Sequence, residues 1–323
     1  MFISTLVIVI TGLVIYFSGK KFSTASSEIG DYFNLSPSVK GATLDAVAST
    51  FPELMITIFS VLVFKEFDIG IGVITGSVLF NTLVIPSIAV LISPVVFRVG
   101  KEVISRDVIF YSISVVIFLL GILYSKSWGL VMAIILIAIY FWYIDIIIDQ
   151  TEEYRNNHKK MLGEKISVIG KISSAFFNMI IMGVATYFLT EHAVFIAHAL
   201  KISPFVVGFS VVAFTTSVPN IIIAVVNTKK GRIDDVMSGI FGANIFTILM
   251  VLGIPLFLYF VLTGKDIIIS TSGIELVAGL ILSTIMIILF IIDDYVITKK
   301  NAIIMILVYI GFISFVSLKA FLG

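Results

Sequence analysis

Cysteine is missing altogether from the 323 residues, so the chain can build neither a disulfide framework nor a thiolate metal site. Charge is scarce as well: Asp, Glu, Lys and Arg supply 13% of residues, against roughly 25% in a soluble domain. Histidine occurs three times, at His158, His192 and His198. No phosphate-binding glycine loop is present, and no stretch is long and polar enough for a soluble domain that hydrolyses ATP, so any uphill transport would have to draw on an ion gradient. The net charge of +1 gives no reason to expect a nucleic-acid partner.

What the chain has instead is apolar length. Apolar residues make up 59%, and nine uncharged runs reach at least 17 residues: 1–19, 69–97, 108–125, 127–144, 172–190, 202–228, 236–264, 276–292 and 301–318. A tenth stretch, 41–64, is broken only by Asp45 and Glu53. A spanning helix takes about 20 mostly apolar residues. The expected fold is therefore all-α, a multi-pass protein of the cell membrane with ten transmembrane helices in a lipid bilayer. The first run has no basic residue before it and is followed by Lys20 and Lys21, which reads as a first span and not as a cleaved signal. Cytoplasmic loops collect Lys and Arg. With both termini extracellular, the inner loops hold 16 basic residues and the outer ones 5, and the basic stretch 151–171 becomes a cytoplasmic linker.

The linker separates two copies of one pattern. LSPSVKGATLDAVASTFPE (Leu35 to Glu53) matches ISPFVVGFSVVAFTTSVPN (Ile202 to Asn220) at a constant offset of 167, and GSVLFN (Gly76 to Asn81) matches GANIFT (Gly242 to Thr247) at 166. The first repeat is thus 1–150, with its motif at 36–81, and the second 172–323, with its motif at 203–247. Five spans per repeat is an odd number, so the second copy enters the membrane in the opposite sense. Interrupted helices at matching places of inverted repeats point to a carrier's binding site.

The motif chemistry is that of hard cations. Pro52 and Pro219 each sit inside a span, and proline removes a backbone donor. The expectation is a helix opened there, with the Ala48 and Thr215 carbonyls freed. Those carbonyls, the hydroxyls of Ser49, Thr50, Thr216 and Ser217, and the Glu53 carboxylate are all oxygen donors of the kind calcium takes. Sodium also takes oxygen ligands, whereas the absence of histidine from these segments disfavours soft metals. An intramembrane carboxylate such as Glu53 is costly and functional by default. Ser77 and Asn81, like Ala243 and Thr247, are four apart and share a helix face. Asp45 precedes Glu53 by eight residues, about 12 Å along a helix and about 80° around it. It is too far to share a coordination sphere, and is a candidate acid of the access route. Glu275, in the ninth span, reads as structural.

These residues resemble the two alpha-repeats of the sodium/calcium exchanger family, in the cation/calcium exchanger superfamily, as found in its prokaryotic-type members. That family's core is similar to G-x-T-x-x-A-x-G-[TS]-S-x-P-E followed by G-S-N-I-x-[ND]. The first copy here keeps Gly41, Thr43, Ala46, Ser49, Thr50, Pro52, Glu53, Gly76, Ser77 and Asn81; the second keeps Gly208, Ala213, Thr216, Ser217, Pro219, Gly242 and Asn244. The resemblance implies an antiporter with no enzymatic activity and no resident cofactor, working as a monomeric transport unit on inorganic cations, with Na+ moving one way and Ca2+ the other. Carried over by position, Glu53, Ser49, Thr50, Ser77, Asn81, Thr216 and Ser217 would be cation ligands, with Asn220 and Thr247 at the matching places of the second repeat. The Ala46 and Ala213 carbonyls would serve flanking sodium sites, and spans 1 and 6 would slide past the rest.

The second copy departs from the pattern. Asn220 stands where the family usually has Glu, Thr247 where an acid or Asn is common, Ala48 and Thr215 where Gly is usual, and Val78 where Asn is. One carboxylate remains at the centre, and a bound divalent ion would leave a net charge of about +1 there, at a cost on the order of several kcal/mol. A related antiporter for a monovalent cation or proton is therefore the alternative. A channel has no need of two inverted motifs. An intramembrane hydrolase needs a nucleophile and base, and the topology puts the three histidines in loops.

Overall fold

The computed structural model describes all residues except 126, 158–167, 269–273, 293 and 323. His158 and the middle of the expected linker fall outside the described residues, as does the Glu275 side chain. Ten helices follow the apolar runs: α1 (Phe2–Tyr32), α2 (Ser38–Leu62), α3 (Phe67–Ile92), α4 (Val103–Tyr124), α5 (Leu130–Asn157), α6 (Val168–Leu200), α7 (Pro204–Lys229), α8 (Ile233–Thr263), α9 (Ile274–Ile292) and α10 (Lys299–Leu322). Among the described residues nine are long and apolar enough to cross a membrane, and α9 is a shorter apolar helix. Lipid offers the backbone no hydrogen-bond partners, so such runs must satisfy their own groups as helices. Two histidine placements are corrected: α6 runs on to Leu200, so His192 and His198 lie in its last turns, not in a loop, and His198 Nε2 reaches Glu66 at 2.9 Å.

Burial sorts the helices into layers. The most apolar window of α3 is 89% buried and that of α10 only 17%. The inner layer is α2, α3, α7 and α8; α1 packs along α6 as a pair beside it, through Ile8 and Ile15 against Leu189, Ala193 and Ala197. The outward faces of this pair carry Leu6, Leu13 and Phe17 on α1 and Phe176, Phe177 and Phe188 on α6, as a lipid-facing surface requires.

The two motif copies share backbone detail. Both motif helices contain a widened, π-type turn at the same register, Gly41–Asp45 in α2 and Gly208–Val212 in α7. In each, the next N–H reaches back five residues, Ala46 to the Gly41 carbonyl and Ala213 to that of Gly208. These turns are where the partner repeat crosses. Gly242 of α8 lies so close to the Ala42 backbone that a Cβ would approach its carbonyl oxygen to 2.6 Å, and Gly76 of α3 is as tightly placed on the Phe209 backbone. Gly41 likewise abuts the Asp235 carbonyl and Gly208 that of Ile69. Within each pair of crossings the residues differ by the repeat offsets of 167 and 166. The connections obey the same operation. At the end rich in Lys and Arg, the α3–α4 and α9–α10 connections bond through Val99 N–H to Tyr295 O (2.8 Å) and Ile297 N–H to Phe97 O (3.0 Å). At the other end, the α4–α5 and α8–α9 connections pair as two short antiparallel strands, β1 (Ser127–Trp128) and β2 (Ile267–Ile268).

The prolines behave differently from expectation. α2 and α7 run as helix through Pro52 and Pro219. A missing N–H costs one hydrogen bond, and the helical backbone continues past it on both sides. The departure from α geometry sits further toward the N-terminus, in the widened turns, where the glycines let the other repeat approach.

A buried ion pair fastens the basic end. Arg106 Nε donates to Asp107 Oδ1 at 2.6 Å, and Arg106 Nη2 to Ser38 Oγ at 2.8 Å. Asp107 also accepts from Tyr143 (2.8 Å) and Ser238 (2.7 Å). Arg106 Nη1 donates to Gln150 as well. Buried charges persist where they are paired and hydrogen-bonded, and this network joins α4 to α2, α5 and α8.

Candidate cation site

Where α2, α3, α7 and α8 cross, polar side chains meet out of reach of solvent. Glu53 is fully buried in α2. Its Oε1 accepts from Ser77 Oγ of α3 at 3.2 Å, and its Oε2 has no hydrogen-bond partner. Ser77 Oγ lies 3.3 Å from Ser217 Oγ of α7, which brings the two repeats into contact. Asn81, one turn beyond Ser77, donates to Asn244 Oδ1 of α8 at 3.1 Å and accepts from Asn220 Nδ2 of α7 at 3.3 Å. Five of these groups therefore form a chain, Glu53–Ser77–Asn81–Asn220 with Ser217 beside Ser77. A buried carboxylate oxygen without a partner is expensive, and a cation is the species that would repay it.

The hydroxyls around this chain are turned to backbone. Ser49 and Thr50 both donate to the Ala46 carbonyl, at 3.0 and 2.7 Å, and Thr216 to the Ala213 carbonyl at 3.2 Å. These are the two alanines that close the widened turns. Thr247 stands apart: it is buried, its hydroxyl has no partner, and it begins another widened turn, Thr247–Val251. Asn244, a repeat match not assigned to the site from sequence, is in its midst. It also donates to Thr82 Oγ1 at 2.9 Å, from which Tyr111 (3.0 Å) and Thr284 (3.1 Å from Tyr111) continue the chain into α4 and α9.

Two cavities lead from this centre toward the basic end. The inner one, of about 20 Å3, is lined by Asp45, Ser49, Asn81, Asn220 and Asp235 together with apolar groups. That volume suits one water or one small ion. The outer one, of about 270 Å3, runs between α1, α2, α7 and α8 past Lys20, Glu28, Lys40, Lys230 and Arg232, and it shares Asp45 and Asp235 with the inner one. Asp45 thus stands on the path between vestibule and centre, one turn before Ser49. Asp235 stands there too and was not legible as a site residue. A larger cavity at the opposite end, about 440 Å3, is lined by Val61, Lys65, Phe67 and Tyr259 and by none of the centre's residues.

Matching motifs that gather oxygen donors around a buried carboxylate, in a bundle of long apolar helices, define the class: a polytopic membrane carrier. The chain belongs to the sodium/calcium exchanger protein family, whose model matches residues 3–148 and 172–318, one segment for each repeat. Among solved structures it is similar to the sodium-calcium exchanger NCX_Mj soaked with 10 mM Na+ and 10 mM Sr2+, with a TM-score of 0.70, 21% identity, and coverage of 97% of this chain and 99% of the other. Among curated proteins it is 27% identical over 267 residues to the inner membrane protein YrbG of Escherichia coli, covering 79% of this chain and 80% of that protein. It is likewise 27% identical over 237 residues to the membrane protein MJ0091 of Methanocaldococcus jannaschii, covering 72% and 74%.

Proposed function

We propose that the protein is a secondary active antiporter that exchanges Na+ for Ca2+ by alternating access, with the ions held between α2, α3, α7 and α8. The observation that carries this reading is the Glu53 carboxylate, fully buried at the crossing of the two repeats with one oxygen unpartnered. Glu53, Ser77, Asn81, Ser217 and Asn220 are the side chains proposed to hold the ions, with Ser49, Thr50 and Thr216 supplying hydroxyls once they turn from the Ala46 and Ala213 carbonyls. Those carbonyls then become available to sodium. Thr247 is the weakest member of the set, since it shares no hydrogen bond with the others. The cavities toward the basic end support an arrangement in which the centre communicates with the cytoplasm, and the paired α1 and α6 are the unit proposed to slide and close it.

One observation favours a second reading, in which the cargo is a monovalent cation or proton. Asn220, which stands where the family usually has a carboxylate, offers an amide that donates to Asn81, and Glu53 alone carries charge in the hydrogen-bonded centre. A single negative site suits a single positive charge better than a double one. Both readings make Glu53 essential. Glu53→Gln is expected to abolish cation-dependent exchange in proteoliposomes while leaving the protein monodisperse, because the neutral isostere keeps the shape and removes the charge. Exchange at the parent rate by a well-folded Glu53→Gln variant would refute both.

A further inference from the structure

We propose that Asp45 and Asp235 form a second cation site, an inner station for a calcium-like divalent ion between the vestibule and the Glu53 centre. The proposal rests on the reading of Glu53 as a cation ligand and adds a site to it. The two aspartates come from opposite repeats, Asp45 from the widened turn of α2 and Asp235 from the first turn of α8. Each is only 6% exposed, and each lines both cavities, so both border the junction between them. Asp45 Oδ1 is buried with no hydrogen-bond partner. The basic groups nearby do not hydrogen-bond the pair: Lys40 Nζ is bound to Asp31 at 2.8 Å, and Arg232 Nη1 makes a long ion pair with Asp235 Oδ2 at 4.0 Å, beyond hydrogen-bond reach.

Two further arguments select a divalent hard cation. Two carboxylates balance a charge of +2, which the Glu53 centre alone does not, and carboxylate, hydroxyl and water oxygens are the donors such an ion takes. The inner cavity places Ser49 and Asn81 on the far side of the same space, so an ion held by the aspartates has oxygen donors ahead of it toward Glu53. The station is also one-sided. By the repeat offsets Asp45 corresponds to Val212 and Asp235 to Ile69, and those two are fully buried apolar residues in one cluster. The end that carries the aspartates is the end whose vestibule is rimmed by Lys20, Lys40, Lys230 and Arg232. Glu28 shares that lining and Lys40 is paired with Asp31, so the vestibule is of mixed charge, and the two aspartates put negative charge at its inner end, where an entering cation meets them.

Equilibrium binding of 45Ca to the purified full-length protein tests the station directly. Glu53→Gln should still bind about one calcium per chain, as a second all-oxygen site requires. That binding should be lost in Glu53→Gln/Asp45→Asn and in Glu53→Gln/Asp235→Asn, and restored in Glu53→Gln/Asp45→Glu. Each variant is checked for a monodisperse elution profile; because the aspartates lie on different repeats, whichever double variant folds reads the same site. Absence of calcium binding to Glu53→Gln, or unchanged binding in a folded double variant, would overturn the proposal. The two readings fail separately. If the parent exchanges no cations but Glu53→Gln binds calcium through the aspartates, the antiporter reading falls and the station stands. If exchange requires Glu53 and the aspartates leave calcium binding unchanged, the station falls and the antiporter stands.

Discussion

Glu53 and Asn220 hold equivalent places in the two repeats, and the difference between them is the main chemical asymmetry of the centre. A neutral amide offers a cation one oxygen, and here its nitrogen is committed to Asn81 at 3.3 Å. Asn220→Glu should therefore raise calcium affinity or calcium flux and weaken transport that depends on a singly charged site. Isotope flux of calcium and sodium in proteoliposomes, parent against variant, reads both effects. Unchanged calcium affinity would mean that residue 220 does not face the ion. At this scale much was legible: Glu53, Ser77, Asn81 and Ser217 are polar residues at repeated positions inside apolar runs, and the fold brings them into hydrogen-bond contact. Asp235 was not legible, because an acid in a helix's first turn, beside Asp234, reads as a favourable partner of the helix dipole. Only the folded chain turns it inward to the cavity.

At the scale of elements, the widened turns and the glycines packed on them hold the two repeats together. A Cβ at Gly242 would meet the Ala42 carbonyl oxygen at 2.6 Å, and backbone cannot swing aside as a side chain can. Gly242→Ala is expected to destabilise by about 1–3 kcal/mol, the usual cost of overpacking, visible as a lower thermal midpoint in detergent. A midpoint equal to the parent's would show that the α2–α8 crossing is looser than described. Gly12 of α1 probes motion instead. A Cβ there would lie 2.8 Å from the Thr215 methyl of α7, on the surface along which the α1–α6 pair is proposed to slide. Gly12→Leu should slow exchange several-fold and leave calcium affinity within about twofold, since the Thr215 side chain it meets is only half-buried on α7 whereas the proposed ligands Thr216 and Ser217 are fully buried. Loss of affinity with unchanged turnover would speak against sliding at this surface. The sequence marked the motif helices correctly but placed their irregularity at the prolines. A proline announces itself in sequence, whereas a π-type turn depends on what packs against it.

For the whole molecule, the apolar runs were readable as long helices because charges in this chain are few and gather at helix ends; among the described residues nine of these helices are long and apolar enough to cross a membrane. The inverted sense is the expectation that an odd number of spans per repeat gives, and the exchange of loop pairings between the two ends is consistent with it. Orientation rests on the asymmetry of 16 against 5 basic residues. A single cysteine introduced at Lys171, on a chain with none of its own, should resist an impermeant thiol reagent on intact cells and react once the membrane is opened. Ready labelling from outside would reverse the topology and put the basic vestibule on the outer face.

Counter-transport is the property on which the account turns, and it has a direct measurement. The purified protein in sealed proteoliposomes is loaded with Na+ and diluted into 45Ca with or without external Na+. The account predicts calcium accumulation only under an outward sodium gradient, with sodium efflux rising in step and both fluxes absent for Glu53→Gln. Calcium entry that is indifferent to the sodium gradient, or that persists undiminished in a folded Glu53→Gln protein, would contradict it.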